Sequence, residues 1–176
     1  MVRRLTGPDG SFALSEQLVA GVAGAGVFGG HHARKFAALD GVLMAAVYDT
    51  DAARAGALAA ACGATPYTDF AAFVAAIDIL AIAAPASEHY LLARAALGAG
   101  RHVLIEKPLA TSLDHADRLI DLAARKKLVL QVGHQERFVA DAFGVLRRPS
   151  PPRSAWCRRH NPRSGRGEGV SVVLDP

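Results

Sequence analysis

LVAGVAGAGVFG, the stretch from Leu18 to Gly29, decides the predicted fold of this 176-residue chain. Its first half is an apolar run of strand length, and its second half is a G-x-G-x-x-G sequence that opens a run of helical period. Such a loop suits a dinucleotide, because Gly24 permits a tight turn, Gly26 lets a pyrophosphate approach the backbone and Gly29 lets the helix pack closely on the strand. The start of the helix adds N–H groups for the phosphates. We therefore predict a dinucleotide-binding loop made of Gly24, Ala25, Gly26, Val27, Phe28 and Gly29.

Apolar runs of strand length alternate with Ala-rich runs of helical period from Leu18 to Gly133. This alternation is typical of βαβ units, and right-handed crossovers then give an α/β protein with a doubly wound parallel sheet, the Rossmann fold. Strands are predicted at Leu18 to Ala23, Val42 to Tyr48, Thr65 to Tyr67, Asp78 to Ala83, His102 to Ile105 and Leu128 to Val132. Helices are predicted at Val27 to Leu39, Asp51 to Cys62, Phe70 to Ala76, Glu88 to Leu97 and Leu113 to Lys127.

The first and last of these helices carry apolar residues at helical spacing, which predicts their inward faces. Thr111 or Ser112 is the expected N-cap of the last helix. The residues that share one face of the first helix are Phe28, His32, Phe36 and Leu39, and those of the inward stripe of the last are Leu113, Ala116, Leu119, Ile120 and Ala123.

The same patterns divide the chain into three parts. Residues 1–15 are interpreted as a loose leader, residues 16–135 as the dinucleotide-binding domain, and residues 136–176 as a crossing segment and the incomplete start of a second α/β domain. Residues 144–168 are rich in Arg, Pro, Ser and Gly, and a strand-like run returns only at Val170 to Leu174. We therefore expect a fragment of a longer protein, with impaired catalysis.

The composition, 51% hydrophobic and 20% charged, is that of a globular protein. The formal net charge is +4, and residues 144–176 hold seven Arg against two acidic residues. That segment lacks the interleaved aromatic residues of a nucleic-acid surface, so nucleic-acid binding is the least supported interpretation. No apolar run reaches the roughly 18 residues that a membrane-spanning helix needs, so no membrane partner is expected.

The chain has two cysteines, Cys62 and Cys157, which are far apart in the sequence. Neither belongs to a C-x-x-C pair or to a set of ligands with metal-binding spacing, so no disulfide framework and no metal site are predicted. A reducing, cytoplasmic location is the resulting expectation.

Asp49 stands at the end of the second predicted strand, where a dinucleotide site requires an acidic residue. Its carboxylate can accept both ribose hydroxyls of adenosine and would repel a 2′-phosphate, which favours NAD over NADP, with Thr50 beside it. Arg54 is near enough in sequence to weaken that exclusion, so NADP stays an alternative. The competing interpretation is that Asp49 or Thr50 only caps the next helix.

Three further segments follow later strands: IAAPASEH from Ile82 to His89, VLIEKP from Val103 to Pro108, and GHQERF from Gly133 to Phe138. The carboxyl ends of parallel strands are where open α/β sheets hold their ligands. Together with the glycine loop and Asp49, these segments resemble the Gfo/Idh/MocA family of oxidoreductases over roughly Leu18 to Phe138. The E-K-P triplet is the more specific part of that resemblance.

The resemblance implies an NAD(P)-dependent oxidoreductase that moves hydride between the nicotinamide and a hydroxyl-bearing carbon of a sugar, cyclitol or nucleotide sugar. It implies that Lys107 handles the hydroxyl proton, that Glu106 orients Lys107 or the nicotinamide ribose, and that the Lys107–Pro108 peptide is cis. A homo-oligomer is implied for the full-length form. The residues expected on the nicotinamide side are Ala84, Pro85, Ser87 and His89, with Glu106, Lys107 and Pro108, and those expected to face substrate are His134 and Arg137.

Several of these residues have an alternative interpretation. His89 could instead be a helix residue packed on the sheet, and Glu106 could be a strand-end carboxylate in water. His31 and His32 are interpreted as ordinary helix positions, because adjacent helical residues point to different faces. As a whole, the chain could also be a non-catalytic dinucleotide-binding module with a redox-sensing or regulatory role.

Overall fold

The computed structural model describes residues 17–144, in which six strands alternate with six helices. The expected leader, residues 1–15, and most of the expected second-domain start, including the run from Val170 to Leu174, lie outside the described residues. The strands are β1 (Leu18–Ala23), β2 (Val42–Tyr48), β3 (Thr65–Tyr67), β4 (Ile79–Ile82), β5 (His102–Ile105) and β6 (Leu130–Val132). The helices are α1 (Val27–Ala37), α2 (Ala52–Cys62), α3 (Phe70–Ala75), α4 (Ala86–Gly98), α5 (Leu113–Lys126) and α6 (Gln135–Ala142).

The six strands form one parallel sheet in the order β3-β2-β1-β4-β5-β6, which confirms the predicted doubly wound fold. The direction in which successive strands are added reverses between β1 and β4, which are the first strands of the two halves of the sheet. A doubly wound sheet has a crevice at that point, outside the carboxyl ends of its strands. The glycine loop after β1 and the loop after β4 therefore lie on the two sides of one crevice.

Two hydrophobic clusters cover the two faces of the sheet. Leu80 and Ile82 of β4 belong to the cluster under α3, α4 and α5, whereas Ala81 between them belongs to the cluster under α1 and α2. Strands buried on both faces consist of continuous apolar runs, which is why their positions were predictable.

The predicted inward face of α1 is partly wrong: Phe36 packs against the cluster under this helix and the side chain of His32 is 15% exposed, but the other two residues are not buried. The buried residues of this helix are Gly29, Gly30 and Ala33, whereas Phe28 is 39% exposed and Leu39, beyond the helix end, is 52% exposed. The helix lies so close to β1 that only small residues fit directly between them, and Phe36 packs beside this contact.

The inward face of α5 is also partly wrong. Leu119 and Ala123 are buried as predicted, but Leu113 and Ile120 are 85% and 51% exposed. These two residues are seven positions apart, so they share one face of the helix, beside the stripe that contacts the sheet. Ser112, not Thr111, is the N-cap, and its hydroxyl accepts the N–H of His115.

Helix α6 was not predicted, because the helical periodicity of the sequence ends after Phe138, inside this segment. None of its residues is buried, so the segment carries no strong apolar stripe that would signal a helix. Phe138 is 70% exposed on its surface. Within residues 17–144, no helix has the length and apolar character needed to cross a membrane.

Candidate functional site

The glycine loop joins β1 to α1 through a turn that only glycine can make at two of its positions. Gly24 has a φ of +99°, and a Cβ there would lie 2.6 Å from the carbonyl oxygen of Ala83. At Gly29 a Cβ would lie 1.8 Å from the carbonyl oxygen of Gly24. A Cβ at Gly26 would instead meet nothing within 4 Å. The loop is therefore closed on the protein side and open on the crevice side.

The first turn of α1 presents its N–H groups to this open side. Gly26 is the N-cap residue without a side-chain cap, and the first turn holds no acidic residue. Uncapped N–H groups and the positive end of the helix dipole favour an anion here. The N–H of Ala25, which precedes the N-cap residue, donates to Asp49 Oδ2 over 2.8 Å.

Asp49 is buried at the end of β2, with 7% of its surface exposed. Its Oδ1 accepts the N–H of Asp51 over 2.9 Å and Nη2 of Arg54 over 2.8 Å, while Oδ2 accepts the N–H of Ala25. The capping alternative for Asp49 and Thr50 is wrong, because the side chain of Asp51 caps α2. Asp49 is instead attached to the glycine loop, and Thr50 lies exposed beside it.

The electrostatic surroundings of Asp49 favour its ionised form. Burial raises the pKa of this carboxyl, but the hydrogen bonds from Arg54, Asp51 and Ala25 and the charge of Arg54 outweigh burial, so the pKa is lowered overall. Asp49 is therefore a carboxylate at neutral pH. It faces the glycine loop, and the first turn of α1 that follows this loop holds no acidic residue.

We expect Asp49→Asn to lower the free energy of unfolding by about 1–3 kcal/mol at neutral pH, since the amide nitrogen cannot accept these hydrogen bonds. The folded-state pKa lies below the unfolded value of about 3.9, so the stabilisation is present above the unfolded pKa and is lost as pH falls through the folded one. Urea unfolding at about pH 7 and about pH 3 measures the free energy of unfolding of the original protein and of the Asp49→Asn variant. The stability gap should narrow at the lower pH, and a constant or wider gap would contradict this assignment. Asp121→Asn, at an exposed carboxylate of α5, is the matched control.

The loop after β4 leads into α4, with Pro85 as the N-cap residue. Pro85 and Ser87 are exposed and Ala84 is half-buried, as a crevice wall requires. His89 is different: it is 1% exposed, and its ring nitrogens lie 2.7 Å from the carbonyl oxygen of Pro108 and 2.9 Å from that of Ala84. The structure therefore corrects the expectation that its side chain lines the nicotinamide side, in favour of the packed helix residue.

Glu106 ends β5 and is buried, with 8% of its surface exposed. Its Oε1 lies 2.8 Å from Nε2 of His32 and accepts Nε2 of Gln135 over 3.3 Å, while its Oε2 accepts the N–H of Lys107 over 3.3 Å. The alternative of a carboxylate in water is therefore wrong. Lys107 is half-buried, and its peptide bond to Pro108 is cis, as the resemblance implied.

His32 and Gln135 were not among the predicted site residues. His32 was interpreted as an ordinary helix position, yet it pairs with a buried carboxylate 74 positions away. The sequence carries one signal of the Glu106 site, the glycine at position 133. A Cβ at Gly133 would lie 3.2 Å from the carboxylate of Glu106, so a glycine two residues before Gln135 makes room for that carboxylate.

His134 and Arg137 lie after β6, at the same edge of the sheet as Lys107. His134 is the N-cap residue of α6, and both side chains are exposed. Their role toward substrate stays a prediction. Among residues 17–144, no three or more His, Cys, Asp and Glu side chains are grouped to hold a metal ion.

A doubly wound parallel sheet with a glycine turn after its first strand and a buried acidic residue after its second defines a dinucleotide-binding domain of the Rossmann class. Residues 18–134 match the family model for Gfo/Idh/MocA, described as an oxidoreductase family with an NAD-binding Rossmann fold. The chain belongs to this family, which confirms the predicted family and the expectation of a nicotinamide coenzyme.

Of two curated relatives, one is named a dehydrogenase of a nucleotide sugar and the other a dehydrogenase of a cyclitol. The UDP-N-acetylglucosamine 3-dehydrogenase of Acidithiobacillus ferrooxidans is 38% identical over 159 residues, which cover 88% of this chain and 49% of that protein. Inositol 2-dehydrogenase 3 of Saccharopolyspora erythraea is 33% identical over 158 residues, which cover 81% of this chain and 45% of that protein. The chain thus spans about half the length of these relatives.

Two solved structures with a similar fold contain a nicotinamide coenzyme. GenD2 from gentamicin A biosynthesis, in complex with NAD, has a TM-score of 0.66 at 34% identity over 69% of this chain and 35% of its own. Biliverdin reductase from Synechocystis sp. PCC 6803, in complex with biliverdin and NADP+, has a TM-score of 0.68 at 28% identity over 73% of this chain and 42% of its own.

Proposed function

We propose that this chain binds NAD, with NADP as the alternative, and that its protein oxidises or reduces a hydroxyl-bearing carbon of a sugar, cyclitol or nucleotide sugar. The observation that carries the proposal is the bond between the N–H of Ala25 and Asp49 Oδ2. It places a carboxylate suited to a ribose directly beside a loop suited to a pyrophosphate.

The residues at the crevice fit a dinucleotide. The open space at Gly26 and the uncapped first turn of α1 suit the two phosphates. A carboxylate has about four lone-pair sites, and Asp49 uses three of them, so one is available to a ribose hydroxyl. The side chain of Arg54 is 58% exposed, so it can also leave Asp49 and offer a second site or meet a 2′-phosphate.

The proposed reaction also needs a group that exchanges a proton with the hydroxyl of the substrate. The coenzyme supplies the hydride acceptor or donor at its nicotinamide. When an alcohol is oxidised, its C–H hydrogen leaves as hydride and its O–H proton needs a base, for which we assign Nζ of Lys107. Lys107 is half-buried at the carboxyl end of β5, on the same sheet edge as the glycine loop.

We expect Lys107→Met to leave the Kd for NAD within about threefold of the original value and to lower turnover by about 10²–10⁴-fold, the usual contribution of a positioned acid or base. Calorimetric titration with NAD and NADP measures binding. Nicotinamide absorbance measures turnover with UDP-N-acetylglucosamine and with inositol. Lys35→Met, at an exposed lysine of α1, is the matched control.

The outcomes separate three cases. Binding with turnover that needs Lys107 supports the whole proposal. Equal turnover in the Lys107→Met protein removes Lys107 from the chemistry. Binding of NAD without turnover on either substrate is expected both of a non-catalytic dinucleotide-binding module and of a chain that spans about half the length of its relatives, so it supports the binding site alone. No binding of either coenzyme overturns the function altogether.

A further inference from the structure

Lys107 lies between two residues that are each held by a histidine from a different helix. His32 of α1 contacts Glu106, the residue before the lysine, and His89 of α4 contacts Pro108, the residue after it. Because α1 and α4 pack on opposite faces of the sheet, the two contacts approach this turn from opposite sides.

The contact from α1 is a charge-assisted hydrogen bond. Glu106 is buried, and its carboxylate can only accept, so Nε2 of His32 is the donor over 2.8 Å. Hydrogen bonds to a buried charge are shorter and stronger than neutral ones. The same carboxylate accepts the N–H of Lys107, so the position of Glu106 sets the position of the lysine backbone.

The contact from α4 is made by a ring that is almost fully buried. Nδ1 of His89 lies 2.7 Å from the carbonyl oxygen of Pro108, and Nε2 lies 2.9 Å from that of Ala84. Both carbonyl oxygens can only accept, so the ring nitrogen that carries a proton donates to the carbonyl oxygen that it faces. His89 therefore ties the turn after β5 to the crevice wall after β4.

We propose that His32 and His89 are positioning residues that hold the turn at Glu106, Lys107 and Pro108 from two sides and thereby set the direction of the Lys107 side chain. A lysine stem is long and flexible, and catalysis depends on holding the reacting atoms close to a productive geometry. Fixing the backbone on both sides of Lys107 limits the positions of Nζ to those that its side-chain torsions allow. The importance of this arrangement rests on the proposed role of Lys107.

The test uses the complete chain without coenzyme. Trace acetylation with acetic anhydride, followed by mass spectrometry, gives the reaction rate of Lys107 relative to Lys35 in the same sample. Hydrogen exchange of residues 105–109 reports on the backbone of the turn. We expect His32→Leu and His89→Leu each to change the Lys107 to Lys35 ratio by about threefold or more and to speed exchange in the turn, because local opening becomes easier.

Conservative variants separate positioning from simple filling of space. The amide nitrogen of Gln reaches about as far as Nε2 of histidine, and that of Asn about as far as Nδ1. His32→Gln should therefore restore the original Lys107 ratio. At His89 we expect Asn, which can reach Pro108, to restore the ratio, and Gln, which can reach only Ala84, to leave it altered.

The comparison of His89→Asn with His89→Gln tests the positioning role even if the Leu variants fail to fold. Equal ratios in these two variants, or a Lys107 ratio that stays at its original value in folded His32→Leu and His89→Leu proteins, would overturn the proposal. A parallel titration with NAD keeps the two hypotheses apart. If the ratios respond as expected while neither NAD nor NADP binds, the positioning of Lys107 stands and the proposed function falls.

Discussion

Gly26→Trp should abolish binding of NAD, raising its Kd by about a hundredfold or more, which corresponds to about 2.7 kcal/mol. The indole would project into the open side of the glycine loop, where the proposed pyrophosphate must approach the backbone. The same variant should stay folded, because a Cβ at Gly26 meets no atom within 4 Å and the φ of −80° is ordinary for any residue. We expect its free energy of unfolding to remain within about 1 kcal/mol of the original.

The matched control for this variant is Gly98→Trp. Gly98 is exposed, ends α4 at the opposite edge of the sheet, and also has open space where a Cβ would be. Calorimetry with NAD and urea unfolding should find binding retained in this control. Unchanged NAD affinity in a folded Gly26→Trp protein would show that the dinucleotide does not occupy the glycine loop.

Gly29→Ala should have the largest effect on stability, a loss of about 4 kcal/mol or more, enough to unfold most of the protein. The new methyl would lie 1.8 Å from the carbonyl oxygen of Gly24. That carbonyl cannot move away easily, because Gly24 is held in a turn with a φ of +99° and its N–H donates to the carbonyl oxygen of Tyr48 over 2.8 Å. Relief therefore requires α1 to move off β1, which breaks the contacts of the core beneath it.

Gly30→Ala, one position further along α1, is the matched control. A Cβ there would meet only side-chain atoms, at 3.6 Å and 3.8 Å, which is ordinary contact. Replacing a helical glycine by alanine without strain stabilises a protein by about 0.4–1 kcal/mol. Urea unfolding should thus move the two variants in opposite directions, and similar stability in both would show that α1 is not held close to β1 as described.

The fold was predictable because its signals are local. Four strands have the bounds that the apolar runs predicted, since strands covered on both faces need continuous apolar residues. The glycine loop was predictable for a similar reason, because a turn with positive φ at Gly24 and close packing at Gly29 both demand glycine.

The faces of the helices and the partners of the buried polar residues were predicted less well. Hydrophobicity suggested that bulky residues of α1 point inward, but the closeness of α1 to β1 selects Gly29, Gly30 and Ala33 instead. His89 was expected beside the coenzyme and is buried behind the crevice wall. Helix α6 buries no residue and gave no apolar stripe to recognise.

Sequence alone determined the class of fold, the family, the glycine loop and the acidic residue after β2. Each of these leaves a signature within a few neighbouring residues or at a short, fixed spacing. Only the tertiary structure decided that His32 pairs with Glu106 and that His89 joins Ala84 to Pro108. Burying a polar group without a partner is unfavourable, so such pairs are selected when distant elements pack together, and no local pattern encodes that choice.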